Sequence, residues 1–224
     1  MTSINEISTE MHSHPAIEIL FTVNGSFSVH TAKSKVTNLS FAIIDSNCLH
    51  KIIGDSDHLN ILIIERRDKS IKEILSNSGI ELDDGFYFES KIIDEARIEK
   101  LLNDIISSSD SKGYDLRVLR AIEFIDKSEV TYIDLITSLV DETSLSESRI
   151  SHLFKKDTGV SIKKYFVWSK LKKTINSLLF ENIDLYTAMI LNGFYDQAHF
   201  SKSYKGMIGM NPSKVYNSRI LQKD

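Results

Sequence analysis

The stretch Asn192-Gly193-Phe194-Tyr195-Asp196-Gln197-Ala198-His199-Phe200-Ser201-Lys202-Ser203-Tyr204-Lys205 decides the reading of this chain. Ahead of it a short apolar run, 185–191, has helical character and stops at Gly193. Asp196 can cap a second helix by accepting from the amides of its first turn. In that helix Phe200 and Tyr204 stand i,i+4 on one face, and Gln197, Ala198, His199, Ser201, Lys202 and Lys205 fill the rest of the surface. The outward face is polar and basic and has no acidic residue. Amides read adenine and cations meet guanine or phosphate, so such a helix has the chemistry to enter a DNA major groove. An ordinary amphipathic surface helix is the alternative from this stretch alone.

The same design occurs about fifty residues earlier. Residues 133–140 read as a short apolar helix, 141–145 as a polar turn, and Ser146 as the cap of a helix with Ile150, Leu153 and Phe154 on one stripe. Set side by side, the two recognition segments each end in an aromatic followed by Lys and then glycine: Gly159 in the first, Gly206 and Gly209 in the second. A repeated helix-turn-helix is a stronger signal than either copy.

These residues resemble the AraC/XylS transcription regulators. The likeness rests on Ile150-Ser151-His152-Leu153-Phe154-Lys155-Lys156-Asp157-Thr158-Gly159, on Gly193-Phe194, on the run from His199 to Lys205, and on Gly209-Met210-Asn211-Pro212-Ser213. It covers residues 116–219. The family usually has glycine where Ser144 stands and small residues where Val140 and Met189 stand. The resemblance implies base contacts from Glu147, Ser148, Ser151 and His152 in the first recognition helix and from Gln197, Ala198, His199 and Lys202 in the second. Arg149, Lys155, Lys156 and Lys205 are then the phosphate contacts. The implied partners are double-stranded DNA at a promoter or operator, a small-molecule effector and RNA polymerase, with activation as the expected direction.

Charge divides the chain. Residues 1–116 hold 11 Lys+Arg against 19 Asp+Glu, and residues 117–224 hold 16 against 12, a split that the net charge of −4 conceals. A basic half joined to an acidic one suits a nucleic-acid reader attached to something else. Cys48 is the only cysteine, which excludes an intramolecular disulfide and a cysteine zinc cluster. No apolar run approaches the ~20 residues of a membrane span, and the N-terminus lacks the apolar core of a signal peptide. The expected location is cytoplasmic, at the nucleoid.

Residues 4–66 read as β structure, with short branched and aromatic runs at 16–23, 26–30, 39–44 and 60–64 and a strong hairpin signal at Asn24-Gly25. A small barrel or sandwich follows from strands this short. Within it His12, His14, Glu18 and the later His50 resemble the cupin pattern, whose four side chains converge inside a barrel and can hold a divalent metal. The second cupin motif is degraded around Ser40 and Cys48. Three readings stay open: a metal site, satisfied polar groups at the barrel mouth, and a metal-free effector pocket. The expectation adopted is the last, with no metal or other cofactor.

Residues 68–77 and 94–107 have helical spacing, and 86–88 reads as a strand or aromatic plug. Ile98, Leu101, Leu102 and Ile105 form a wide apolar stripe that either packs on the barrel or, as the resemblance implies, pairs two subunits into a weak homodimer. Residues 107–113, rich in Ser with Asp, Lys and Gly, read as a linker between a cupin-like effector-sensing and dimerisation domain, 1–106, and a DNA-binding domain, 114–224. Residues 116–127 read as the first helix of the second domain. Residues 162–180 read as a long helix with an apolar stripe through Tyr165, Phe166, Trp168, Leu171, Ile175, Leu178 and Leu179 and a lysine face available to phosphates. At 1.5 Å per residue it spans ~28 Å, approaching the ~34 Å between successive major grooves on one side of DNA.

The expected architecture is α+β in two domains: a small cupin-like β-barrel with flanking helices, then an all-α domain of two helix-turn-helix units joined by a long helix. The expected function is a sequence-specific transcription regulator under effector control and not an enzyme. The rivals are a metal-dependent cupin enzyme with an accessory helical domain, and an effector-binding module whose helical half binds protein.

Overall fold

The computed structural model describes residues 6–55, 58–65, 70–107, 113–181 and 183–213, and the chain divides into two compact units, Met1–Tyr114 and Asp115–Asp224. Most of the expected linker, residues 108–112, lies outside the described residues; Ser107 is the last residue of a helix.

The first unit is built on β2 (Ala16–Phe21), whose first five residues are all buried. A strand covered on both faces has to read as a continuous apolar run, and this one does except at Glu18. Its alternation sends Ile17 and Ile19 to one face and Leu20 to the other. β2 lies between β7 (Asn60–Glu65) and β5 (Phe41–Ile44), with β8 (Phe86–Glu89) beyond β5, all antiparallel. A second sheet has the order β1 (Glu6–Ser8), β6 (His50–Asp55), β3 (Phe27–Thr31), β4 (Lys35–Leu39). The expected barrel is therefore realised as two four-stranded sheets whose facing side chains, among them Leu20, Phe27, Val29, Ala42, Ile44 and Ile52, form one core. Gly25 supplies the left-handed residue of the Asn24-Gly25 turn at φ +91°.

The outer face of the β2 sheet is covered by α1 (Ser70–Asn77) and α2 (Glu95–Ser107). Ile17, Ile19, Phe41 and Ile43 pack there against Ile71 and Leu75 of α1 and against Ile98, Leu101 and Ile105 of α2, with Leu102 partly buried at the edge. This corrects the dimerisation assignment of Ile98, Leu101, Leu102 and Ile105. Apolar faces on a sheet and a helix are satisfied by each other, and the stripe is spent inside the subunit. The apolar side chain α2 leaves in the open is Ile106, at 77 % exposure.

Among the described residues the second unit has six helices: α3 (Leu116–Lys127), α4 (Tyr132–Thr143), α5 (Glu147–Thr158), α6 (Ile162–Phe180), α7 (Leu185–Leu191) and α8 (Gln197–Ile208). Each starts at a side-chain cap that accepts a first-turn amide: Asp115, Thr131, Ser146, Ser161, Asp184 and Asp196. The turn expected at 141–145 is shorter than its polar composition suggested. α4 runs on to Thr143, whose hydroxyl donates to Leu139 O, and the chain reverses at Ser144. Ser144 is left-handed at φ 53°, a conformation glycine adopts freely and serine does not.

The apolar stripe expected along α6 holds through Leu171 and then turns away. Thr174 and Ser177 face inward over the last two turns, while Leu179 and Phe180 are exposed. Thr174 Oγ1 stays satisfied by donating to Lys170 O, and Ser177 Oγ accepts from Asn192 Nδ2.

Two outcomes follow. Leu101→Ala should lower the unfolding free energy of the first unit by about 2–5 kcal/mol, as measured by urea titration, because it opens a cavity in a formed core. A change of sedimentation from dimer to monomer at unaltered stability would restore the pairing role. Ser144→Gly should raise the stability of the helical unit by about 1 kcal/mol through relief of the left-handed strain, read as a higher urea midpoint.

Candidate functional site

The two segments expected to be recognition helices are α5 and α8. α5 is held by Ile150 and Phe154, both wholly buried, with Phe154 edge-on to Tyr165 of α6 at 5.6 Å between ring centroids. α8 is held by Phe200, Tyr204 and Met207; Phe200 stands edge-on to Phe194 at 5.1 Å and Tyr204 lies 5.7 Å from Phe200. Anchoring one stripe leaves the opposite faces outward. Glu147, Ser148, Arg149, His152, Lys155 and Lys156 on α5 are exposed and Ser151 is half-buried; on α8 Gln197, Ala198, His199 and Lys202 are exposed and Lys205 is half-buried. Each predicted set therefore lies along one helix surface, and its amide, imidazole, hydroxyl and ammonium groups are of the kinds that contact bases and phosphates. Cap geometry starts both faces: Ser146 accepts from Arg149 N at 3.4 Å and Asp196 from His199 N at 2.7 Å.

The lysine face of α6 is engaged internally to a degree the sequence did not reveal. Lys170 donates to Gly193 O at 2.9 Å and lies over the Phe166 ring at 4.3 Å. Lys173 donates to Ser128 O at 2.8 Å, and Lys172 lies 3.5 Å from Asp126. Burial lowers the pKa of Lys164, Lys170 and Lys173. Asp126, unremarked in the sequence, joins α3 to α6 by accepting from Ser169 Oγ at 2.7 Å and from the Tyr165 hydroxyl at 3.2 Å. Lys170, Lys172 and Lys173 thus brace the helical unit, and their expected phosphate role gives way to that one.

In the first unit the structure brings His12, His14, Glu18 and His50 together, all buried to within 3 % of full cover. Glu18 comes from β2, His50 opens β6, and His12 pairs with His50 through two backbone hydrogen bonds of 2.9 and 3.0 Å. Glu18 Oε2 lies 3.4 Å from His14 Nε2 and 2.8 Å from His50 Nε2. The ring nitrogens on the far side are all committed: His12 Nδ1 to Glu10 O at 2.9 Å, His14 Nδ1 to Ala16 O at 3.1 Å and His50 Nδ1 to Cys48 O at 2.9 Å. A carbonyl only accepts, so each Nδ1 carries a proton. Burial, reinforced by His50, holds the His12 pKa down at about 4. Burial alone would raise the Glu18 carboxyl, but contact with His14 and His50 outweighs it and brings the group down to about 2. Cys48 is a protonated thiol, its pKa pushed up to about 11 by burial and by Asp45 and Asp84.

Residues 139–218 match the family model described as a helix-turn-helix domain. Over those residues the chain is similar to a helix-turn-helix domain, which agrees with the resemblance to AraC-type regulators read from the sequence. The chain is 34 % identical over 110 residues to the Msm operon regulatory protein of Streptococcus mutans, a match covering 48 % of this chain and 37 % of that one. It is 30 % identical over 111 residues to the arabinose operon regulatory protein of Salmonella typhimurium, covering 49 % and 39 %. The chain thus spans less than two fifths of the length of these curated relatives. Transcriptional regulator MxiE of Shigella flexneri is 25 % identical over 154 residues, covering 62 % and 71 %. Among solved structures, an apo ToxT variant from Vibrio cholerae superposes over 99 % of this chain and 95 % of its own with a TM-score of 0.59 at 12 % identity. Wild-type ToxT bound to an unsaturated fatty acid does so over 98 % and 94 % with a TM-score of 0.51 at 13 % identity. These likenesses establish the two-part α+β fold. Among the described residues, no helix is long and apolar enough to cross a membrane.

Acid should weaken the first unit. Unfolded, His12 takes up its proton near 6.5 and Glu18 near 4.5; folded, they do so near 4 and 2. The unfolded chain therefore binds more protons across this range, and stability declines as pH falls from about 6.5 toward 2. Thermal melts of the full chain from pH 7 to 4 check this, and His12→Asn should flatten the slope between 6.5 and 4.

Proposed function

We propose that this chain is a sequence-specific DNA-binding transcription regulator whose second unit reads an operator and whose first unit receives a small-molecule signal. The observation that carries the reading is the pair of capped helices, α5 and α8, each held by a buried phenylalanine and each turning an amide-, imidazole- or ammonium-bearing face outward. Base contacts fall to Glu147, Ser148, Ser151 and His152 on α5 and to Gln197, Ala198, His199 and Lys202 on α8. Phosphate contacts fall to Arg149, Lys155, Lys156 and Lys205. The names of the relatives support the class, as two are operon regulatory proteins and a third is a transcriptional regulator.

The signal belongs with the N-terminal sheets, where His12, His14, Glu18 and His50 are the polar anchor. The fatty-acid complex of ToxT supports a small-molecule site in a protein of this fold. Domain limits of 1–106 and 114–224, an activating direction, RNA polymerase and a second copy of the chain as partners, and a place at the nucleoid in the cytoplasm complete the proposal. The degenerate hydroxyl contacts of α5 give it less discrimination than α8, where Gln197 can make a bidentate pair with adenine.

Selection of binding sites from random duplex DNA by the full chain tests the reading, and failure to enrich any sequence at low salt refutes it. On the selected site Gln197→Ala should cost about 1–3 kcal/mol and relax preference at one base pair only. Lys155→Ala should instead weaken matched and mismatched duplexes alike and reduce the slope of log affinity against log salt by about one. Equal losses on both duplexes for Gln197→Ala would mean that α8 does not read sequence in this orientation.

A further inference from the structure

The helical unit holds a cavity of about 350 Å³, lined by the segment joining α3 to α4, the first half of α6 and the turn between α7 and α8. Lys163, Phe166, Val167 and Lys170 stand at i, i+3, i+4 and i+7, so one face of α6 lines it. Val130, Tyr132 and Phe194 complete the apolar wall, in which Phe166 and Phe194 are themselves almost fully buried. Glu129, the acidic residue among the described lining side chains, acts on Lys173. Lys170 is half-buried, donates to Gly193 O and stands over the Phe166 ring. An ammonium has three donors, and Gly193 O takes one of them. Burial lowers the Lys170 pKa, nearby Lys173 lowers it further, and among the described residues no carboxylate works the other way.

We propose that this cavity is a small-molecule site for a compact aromatic carboxylate, its ring among Tyr132, Phe166 and Phe194 and its carboxylate on the ammonium of Lys170. A half-buried cation with no counter-ion favours any anion that can reach it, and a charge-assisted hydrogen bond is the stronger kind. The wall selects what that anion carries. Phosphate or sulfate would satisfy the ammonium and leave the aromatic surface wet, and a plain hydrocarbon would cover that surface and leave the ammonium unpaired. A molecule with a ring at one end and a carboxylate at the other meets both demands, and ring–ring contacts at the wall add to the apolar burial. Volume sets its size: at water's share of ~30 Å³ the cavity takes roughly a dozen non-hydrogen atoms, at the small end of ligand pockets. Lys163 is exposed two helical turns from Lys170, ~10 Å along the axis, and adds attraction for an approaching anion. His199 also lines the cavity, with its ring 5.4 Å from that of Phe194, so an occupant meets the turn and the start of α8 together. Every lining residue belongs to the second unit, which makes this site separate from the signal assigned to the first. None of these groups depends on whether α8 reads DNA.

The test titrates the full-length protein, labelled at its valine methyl groups, with 4-phenylbutyrate as the probe. The methyl signals of Val130 and Val167 should shift along one saturable curve with a Kd of about 1 mM or tighter. 4-Phenylbutanol, which keeps the ring and chain without the charge, and butyrate, which keeps the charge without the ring, should each bind about tenfold more weakly or worse. Lys170→Gln, confirmed folded by circular dichroism, should bring the affinity for 4-phenylbutyrate down to that for 4-phenylbutanol. Where that variant does not fold, the contrast between carboxylate and alcohol on the wild type decides. Unmoved Val130 and Val167 signals at about ten times the stated concentration overturn the site, even if other valines shift. So does equal affinity for 4-phenylbutyrate and 4-phenylbutanol, or undiminished affinity in folded Lys170→Gln.

Discussion

The polar faces of α5 and α8 exist because one phenylalanine on the opposite side of each, Phe154 and Phe200, is completely buried. A helix of twelve residues has little stability of its own in water, so tertiary packing both forms it and fixes its rotation. Phe154 meets Tyr165 of α6, and α8 also packs on α6. The long helix is therefore the common floor for both α5 and α8. Its second half departs from an apolar stripe, since Thr174 and Ser177 face inward there and satisfy their hydroxyls locally. Close helix packing over small polar residues replaces the bulky contacts of its first half.

Helices were the legible part of the sequence because their signals are local. Ser146 and Asp196 each announce a start within four residues, and the structure places caps at both. The strands at Lys35–Leu39 and His50–Asp55 went unread because their partners, not their residues, make them strands. The first is a polar edge, and the second has only Ile52 and Ile53 between polar residues and glycine. Periodicity also predicted that Ile98, Leu101 and Ile105 needed a cover, but it carries no information on whether that cover is a sheet or another subunit. The outer face of β2 is what covers them.

The lysines of α6 teach a related lesson about charge. A run of ammonium groups opposite an apolar stripe looks like a surface waiting for phosphate, yet the long stems let Lys170 and Lys173 reach backbone carbonyls across neighbouring segments. Composition records the charge and not the reach. The four residues of the first unit show the converse: their convergence was legible from spacing and resemblance, and their protonation was not. That depended on three carbonyls, two of them on residues not singled out for the site, each two positions from the ring it orients.

The cluster also constrains how such a chain can change over generations. Losing the imidazole of His14 or His50 strands a buried carboxylate with fewer partners, at a cost of about 3–5 kcal/mol by the measure of broken buried pairs. Losing the carboxylate first leaves three neutral rings, each already tied to its own carbonyl, which can remain in place. Descent away from this arrangement has a preferred order in which Glu18 goes before the histidines. A homologue that keeps the carboxylate while missing the ring at 14 or 50 would need a new neighbouring cation to have arisen beforehand.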